Sequence, residues 1–199
     1  MARTQVTREE WTDAAVAALI EGGVAAVRVD VLAKRIGITR GSFYWYFKDR
    51  DALVAAALEA WEQRATTDVI AALRDIPDPV DRLRMLFTQA LTPDSYSRLE
   101  PALAADAGHP LVGPVLRRVT ERRVAFISDV YQARGFERVT ARRQAIVAYA
   151  AYTGWLDLRR TAPDVLPELA DDGPESAATL AHLAAVLGVG GDPETDGQP

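Results

Sequence analysis

Apolar residues recur every three or four positions along most of this chain, the period that places them on one face of an α-helix. They occupy positions 11, 14, 15, 18 and 19 near the start, and positions 29, 32, 33 and 36 a little later. Stretches with the same period cover residues 51–76, 80–91, 99–107, 111–136, 139–161 and 176–188. No segment shows a clear alternation of the kind that is typical of a β-strand. The pattern therefore predicts an all-α fold.

Residues near the predicted helix ends are of the types that favour capping. Thr7 and Glu10 have the spacing of a capping box, so the first helix is predicted to begin after Thr7. Gly22 and Gly23 are predicted to end it. Asp49 is a suitable N-cap for a fourth helix, which has no proline or glycine before residue 77 and is predicted to run uninterrupted for about five turns or more.

The stretch from Arg28 to Arg50 predicts two short helices joined by a tight turn. Gly37 can take the left-handed conformation that ends the first of them, and Thr39 is placed to cap the second. Phe43 and Phe47 lie four positions apart, so both rings are predicted to face the interior. The side chains left for the outer surface are those of Arg40, Gly41, Ser42, Tyr44, Trp45 and Lys48.

This stretch is also basic in an otherwise acidic chain. It contains six basic and two acidic residues, a local charge of plus four, whereas the whole chain of 199 residues has a net charge of −5. A local basic surface attracts DNA phosphates while the remaining surface repels them. An exposed helix that combines arginine, serine and aromatic side chains suits a DNA groove better than a packed core.

Residues 23–53, GVAAVRVDVLAKRIGITRGSFYWYFKDRDAL, resemble the N-terminal DNA-binding domain of the TetR family of one-component transcriptional regulators. The features in register are Ala33, Gly37, Tyr44, Phe47, Lys48 and Leu53. Arg28 departs from the pattern, because the family often has serine or threonine there to open the second helix. The resemblance implies a three-helix helix-turn-helix domain, a fourth helix that links DNA and ligand sites, and a larger C-terminal helical domain for ligand binding and dimerisation.

Within this domain we predict which side chains contact double-stranded DNA. Side chains with hydrogen-bonding groups or flat faces can reach base edges in the groove, and Gly41 permits a close approach. The residues predicted to read the groove are Arg40, Ser42, Tyr44 and Trp45. Those predicted to contact phosphates are Arg28, Thr39 and Lys48.

The remaining helices contain enough aromatic residues to line a cavity for a mostly apolar small molecule. The residues predicted to line it are Trp61, Phe87, Phe126, Tyr149, Tyr152 and Trp155, although for any one of them core packing is the alternative. The last two helices have extensive apolar faces and are predicted to form the seam of a homodimer. The seam residues are Ile146, Thr153, Leu156, Leu180, Leu183 and Leu187.

Composition and motifs argue against several other classes of function. The chain has no cysteine, and neither His109 nor His182 has a second histidine at ligand spacing, so no metal site or cofactor is predicted. No catalytic motif is present, and the chain is predicted not to be an enzyme. No apolar run approaches the ~20 residues that span a bilayer, and no signal peptide is apparent, so we expect a cytoplasmic protein.

The sequence therefore predicts three segments: a helix-turn-helix domain over residues 1–50, a helical ligand-binding and dimerisation domain over 51–188, and a disordered tail over 189–199. The function predicted is that of a homodimeric repressor that binds an inverted-repeat operator and is released by a small molecule. The alternatives are a constitutive or activating DNA binder without an inducer, and a small helical enzyme or binding protein in which Trp45 is buried.

Overall fold

The computed structural model describes residues 7–91, 98–167 and 173–188, and these ranges are helical with no β-strand. The all-α prediction is confirmed. The α-helices are α1 (Arg8–Ala26), α2 (Val29–Arg35), α3 (Arg50–Glu62), α4 (Asp68–Arg74), α5 (Pro79–Leu91), α6 (Leu99–Ala105), α7 (Val112–Ala133), α8 (Arg138–Thr161) and α9 (Pro174–Val186). The predicted tail, 189–199, lies outside the described residues.

Two further kinds of helical turn complete the described chain. Arg40–Trp45 and Pro163–Val165 are 3-10 helices, and Gln63–Thr67 is a π-helical turn between α3 and α4. Among the described residues, none of the helices combines the length and apolarity that crossing a bilayer requires.

The chain divides into two compact units. The first contains the described residues up to Thr66 together with Arg98–Val119, and the second contains the described residues of Thr67–Ser97 and those from Thr120 onward. The division passes through the π-helical turn and through α7, which begins in the first unit and continues into the second. The functional division after residue 50 stays a prediction.

In the first unit, α1 packs against α3 and α6. Trp11 and Leu19 of α1 are fully buried, as is Leu53 of α3. The Trp11 ring meets Phe43 edge-on, with 5.2 Å between ring centroids. The core of this unit therefore lies directly beneath the segment that contains Phe43.

The predicted helix ends are largely as the sequence indicates. Thr7 and Glu10 form the capping box, and the Asp49 carboxylate accepts the Ala52 N–H at 2.7 Å. Gly37 has a φ of +72°, and the Ile38 N–H donates back to the Ala33 carbonyl at 2.9 Å, which closes α2.

Two predicted helices differ from expectation. α1 has non-helical backbone at Gly22 and Gly23, but helical turns resume and continue to Ala26. The predicted uninterrupted fourth helix is divided by the π-helical turn Gln63–Thr67. This turn contains two successive β-branched residues, Thr66 and Thr67, whose restricted side chains lower the preference for regular helix.

In the second unit, α5, α7, α8 and α9 share an apolar core that includes Leu83 and Val130. The Tyr131 hydroxyl donates to the Leu187 carbonyl at 2.6 Å, and Gln144 Nε2 donates to the same oxygen at 3.1 Å. Burial raises the pKa of Tyr131, so its hydroxyl stays a donor near neutral pH. These bonds fix the end of α9 against α7 and α8.

Candidate nucleic-acid interface

The outer surface of the first unit is built around the 3-10 helix Arg40–Trp45, called the recognition helix below. Thr39 stands before it in extended conformation, as predicted for an N-cap, but its side chain forms no capping bond. Its carbonyl instead accepts the Ser42 N–H at 3.2 Å and the Ser42 hydroxyl at 2.7 Å. Phe43 and Phe47 are both buried beneath the helix and stack with centroids 5.7 Å apart, so its inner face is fixed.

The outer face of the recognition helix carries two large rings in solvent. Tyr44 is 56% exposed and Trp45 is 81% exposed. An Nη2 N–H of Arg40 donates to the Tyr44 hydroxyl at 3.4 Å, which holds these side chains together. A Cβ added to Gly41 would meet no heavy atom nearer than Thr39 Oγ1 at 3.9 Å, so the backbone there is open to approach. Exposed aromatic rings next to an accessible stretch of backbone form a surface suited to binding another molecule.

Three basic side chains flank the recognition helix in exposed positions. Arg28 Nη2 lies 3.3 Å from Asp30 Oδ2, and Lys48 Nζ lies 3.8 Å from Asp49 Oδ2. Lys34 of α2 is also exposed. Ion pairs between exposed groups are weak in water, so these cations can exchange their carboxylate neighbours for phosphates.

Two other basic residues of the Arg28–Arg50 stretch stabilise the fold of the first unit. Arg35 binds Glu21 through two hydrogen bonds of 2.8 and 3.0 Å, which hold the pKa of the Glu21 carboxyl below its ordinary value. Arg50 donates from Nε to the Val27 carbonyl at 2.8 Å and from Nη2 to the Val24 carbonyl. The charge count from sequence therefore overstates the number of cations available to a ligand.

Conversely, sequence reasoning missed Arg8, the first residue of α1. Its guanidinium carbon lies 5.1 Å from the centre of the Phe47 ring, beside the recognition helix. A positive charge in the first turn of a helix opposes the helix dipole. That unfavourable position was the sign in the sequence that the Arg8 side chain makes its contact outside α1.

A second missed residue is Asp106, which follows α6. Its Oδ2 accepts the Val24 N–H at 2.7 Å, although the two residues are 82 positions apart. Gly23, with φ of +64°, turns the chain so that the carboxylate can approach. Asp106 and Arg50 therefore hold the turn that leads from α1 into α2.

The predicted ligand-lining residues do not all lie in one unit. Trp61 is fully buried in the first unit, and the other five belong to the second. Phe87, Phe126 and Tyr149 share the second unit's core, and the rings of Tyr149 and Tyr152 are 5.9 Å apart. The Trp155 indole N–H is buried and donates to no atom of the described residues.

The predicted seam residues differ in accessibility. Ile146 is 50% exposed, whereas Leu156 and Leu187 are buried within the single chain. The remaining three, Thr153, Leu180 and Leu183, are partly buried. Other apolar residues of α8 and α9 are exposed instead, namely Val139, Val147, Leu158 and Val186.

The short α2, the glycine turn and a recognition helix with an outward polar and aromatic face define a helix-turn-helix protein. Residues 12–57 match the family model described as bacterial regulatory proteins, tetR family. The chain is 29% identical over 103 residues to the HTH-type transcriptional regulator Rv1255c of Mycobacterium tuberculosis H37Rv, covering 52% of this chain and 50% of that one. It is 35% identical over 79 residues to the HTH-type transcriptional regulator TtgR of Pseudomonas putida, covering 40% of this chain and 37% of TtgR.

A solved structure with the same fold is the SmeT–triclosan complex, which superposes with a TM-score of 0.68 at 23% identity, covering 96% of this chain and 97% of SmeT. The N-terminal domain of the chain, over residues 12–57, is therefore that of the TetR family of transcriptional regulators, and the resemblance expected from sequence is confirmed. These relatives are regulators and not enzymes, in agreement with the prediction from sequence. The aligned part of this chain spans about half the length of Rv1255c and 37% of the length of TtgR.

Proposed function

We propose that this protein binds duplex DNA as a homodimer in the cytoplasm and represses transcription until a small molecule releases it. The observation that supports this most directly is the orientation of the recognition helix. Tyr44 and Trp45 face solvent, while Phe43 and Phe47 beneath them anchor the helix in the core. Burying Trp45 would have favoured the alternative of a helical enzyme or binding protein, and its exposure favours a DNA surface.

In the complex, the recognition helix enters the major groove. Arg40, Ser42, Tyr44 and Trp45 contact base edges, and Gly41 lets the backbone approach the DNA. Arg28, Thr39 and Lys48 contact phosphates on either side of the groove and set the register of the domain.

A two-fold dimer presents two recognition helices to one face of the duplex. Their separation should match one helical turn of ~34–36 Å or a multiple, so the operator should be an inverted repeat. The exposed apolar residues of α8 and α9, with Ile146 among them, support a dimer contact through these helices. In this arrangement the buried Leu156 and Leu187 support the surface from beneath, and Thr153, Leu180 and Leu183 lie at its inner edge.

The ligand would bind in the second unit among Phe87, Phe126, Tyr149, Tyr152 and Trp155. The buried indole N–H of Trp155 supports this, because a donor without a partner in the described residues can be satisfied by a polar atom of a ligand. The solved structure of SmeT with triclosan shows a relative by fold in complex with an aromatic compound. Trp61, in the core of the first unit, is a packing residue under this proposal.

Ligand binding would act on DNA through the helical path from Arg50 to Arg74, which runs from the first unit into the second. Functionally, residues 1–50 then carry DNA binding and 51–188 carry ligand binding and dimerisation. A ligand shifts the equilibrium only by its differential affinity for the two states, and roughly 1–3 kcal/mol would weaken operator binding about 5- to 150-fold.

The test begins with selection of bound duplexes from a random pool, followed by titration of the selected duplex with apolar aromatic compounds, triclosan first. Enrichment of an inverted repeat and release by a compound are expected. Binding without release by any compound would favour the constitutive or activating alternative. Failure to bind any duplex at moderate salt would refute the proposal.

We expect Arg40→Ala and Lys48→Ala to weaken DNA binding in different ways. Arg40→Ala should relax base preference at one position of each half-site, by roughly 1–3 kcal/mol of discrimination. Lys48→Ala should weaken binding to all duplexes almost equally and flatten the salt dependence. Competition binding with single-base variants of the operator measures both effects, and an equal loss on specific and random duplexes for Arg40→Ala would exclude base reading by this residue.

We expect Ile146→Glu to yield folded monomers, because it places a charge on the exposed apolar face of α8 without disturbing the core. Analytical ultracentrifugation measures the change. Met85→Glu, at an exposed position of α5 outside the predicted seam, is the matched control and should stay dimeric. A dimer that tolerates Ile146→Glu would place the interface elsewhere.

A further inference from the structure

Arg8 lies outside the helix-turn-helix stretch in sequence but beside the recognition helix in space. Its guanidinium carbon is 5.1 Å from the Phe47 ring centroid, and Phe47 is followed by the exposed Lys48. Phe47 in turn stacks on Phe43 of the recognition helix. A buried aromatic pair thus fixes the position of a charged group from another helix at the edge of the candidate interface.

The acidic neighbours of Arg8 are engaged with other residues. The Glu9 carboxylate accepts a hydrogen bond from Arg64 at 3.1 Å. The Glu10 carboxylate accepts the Thr7 N–H at 2.6 Å and the Thr7 hydroxyl at 3.2 Å within the capping box. The Arg8 side chain is exposed and forms no ion pair with the residues that the structure describes. Its positive charge is therefore uncompensated by the carboxylates next to it.

The contact with Phe47 leaves the hydrogen-bonding groups of Arg8 available. A cation–π contact is an attraction between the positive charge and the ring, and it uses none of the five N–H donors of a guanidinium in a bond to an oxygen. Those donors match the oxygens of a phosphate, which a guanidinium binds through two parallel hydrogen bonds. The contact with Phe47 also limits the rotamers of a long side chain, so less entropy is lost when an anion binds.

We infer that Arg8 binds a backbone phosphate of the DNA, next to the phosphate contacted by Lys48, and so fixes the N-terminal end of α1 on the duplex. This inference rests on the proposed function. Arg8 does not contribute to the choice of DNA sequence, because a phosphate is the same at every base pair. Its contribution is to affinity and to the orientation of the recognition helix.

The test compares Arg8→Ala and Arg8→Lys with the unmodified protein in fluorescence anisotropy titrations from 50 to 200 mM salt, on the selected operator and on a random duplex. Each neutralised phosphate adds about 0.9 to the salt slope. The affinity ratio of unmodified protein to Arg8→Ala should therefore shrink about 3.5-fold across this fourfold range of salt. The loss should be equal on both duplexes, and Arg8→Lys should retain the slope because it retains the charge.

Arg74→Ala is the matched control, since it removes one exposed arginine of the second unit. It should leave the salt slope unchanged. An unchanged slope for Arg8→Ala, a loss confined to the operator, or a slope lowered equally by Arg8→Lys would overturn the assignment of Arg8 while leaving the proposed function intact. Absence of duplex binding by the unmodified protein would overturn both.

Discussion

Gly23→Ala is expected to destabilise the first unit by at least about 2 kcal/mol. Gly23 has φ of +64° and ψ of −160°, a backbone conformation essentially restricted to glycine, and a side chain there is unfavourable by roughly 1–3 kcal/mol. A Cβ at this position would also lie only 2.3 Å from Asp106 Oδ2, so the carboxylate would have to leave the Val24 N–H that it binds at 2.7 Å. The midpoint of thermal or urea unfolding measures the effect.

Gly108→Ala is the matched control, because a Cβ there meets no atom within 4 Å. It should unfold close to the midpoint of the unmodified protein. Removing the carboxylate in Gly23→Ala/Asp106→Ala should relieve the overlap but leave the backbone strain and the unsatisfied Val24 N–H. If Gly23→Ala and Gly108→Ala unfolded alike, the turn between α1 and α2 would not constrain the fold.

The parts of this fold that sequence predicts are those set by neighbours within a helical turn. The capping box of Thr7 and Glu10, the Asp49 cap and the left-handed Gly37 all depend on residues at most five positions apart. The same holds for the recognition helix and the residues directly after it, where Phe43 and Phe47, four positions apart, are both buried as their spacing predicts. Local rules therefore give the helices and the outward face of the candidate interface.

The contacts that sequence reasoning missed join residues far apart in the chain. Asp106 binds Val24 across 82 positions, and the Arg8 guanidinium lies over a ring 39 positions later. Such contacts depend on how helices pack, which periodicity does not specify. For the same reason, the count of basic residues could not separate Arg50, which binds backbone carbonyls, from cations that face solvent.

The ligand and dimer predictions illustrate a different limit. Aromatic and apolar residues at helical spacing serve equally in a core, a pocket or a seam, and only burial separates these uses. Trp61 is buried in the first unit, and Leu187 is buried in the second, while Ile146 is half exposed. Periodicity identifies the apolar face of a helix. It does not tell which residues of that face stay exposed once the helices of one chain have packed together.

Arg118→Ala is also expected to destabilise the first unit, by about 2 kcal/mol. Glu62, the last residue of α3, has a side chain only 10% exposed, and Arg118 of α7 binds both of its carboxylate oxygens. This hydrogen bonding raises the pKa of Arg118, which stays charged. Breaking a fully buried pair costs roughly 3–5 kcal/mol, and the value expected here is smaller because Arg118 is 52% exposed.

Arg117→Ala provides the matched control, because it removes the adjacent exposed arginine and should change stability by no more than about 0.5 kcal/mol. Glu62→Gln should lower the free energy of unfolding less than Arg118→Ala does. It removes the charge from the buried site, and the charge that remains is on the partly exposed guanidinium of Arg118, which water can reach. Equal midpoints for Arg117→Ala and Arg118→Ala in urea unfolding would show that the pair contributes nothing. A larger effect of Arg118→Ala would instead show that this pair fixes the last turn of α3, immediately before the π-helical turn where the two units divide.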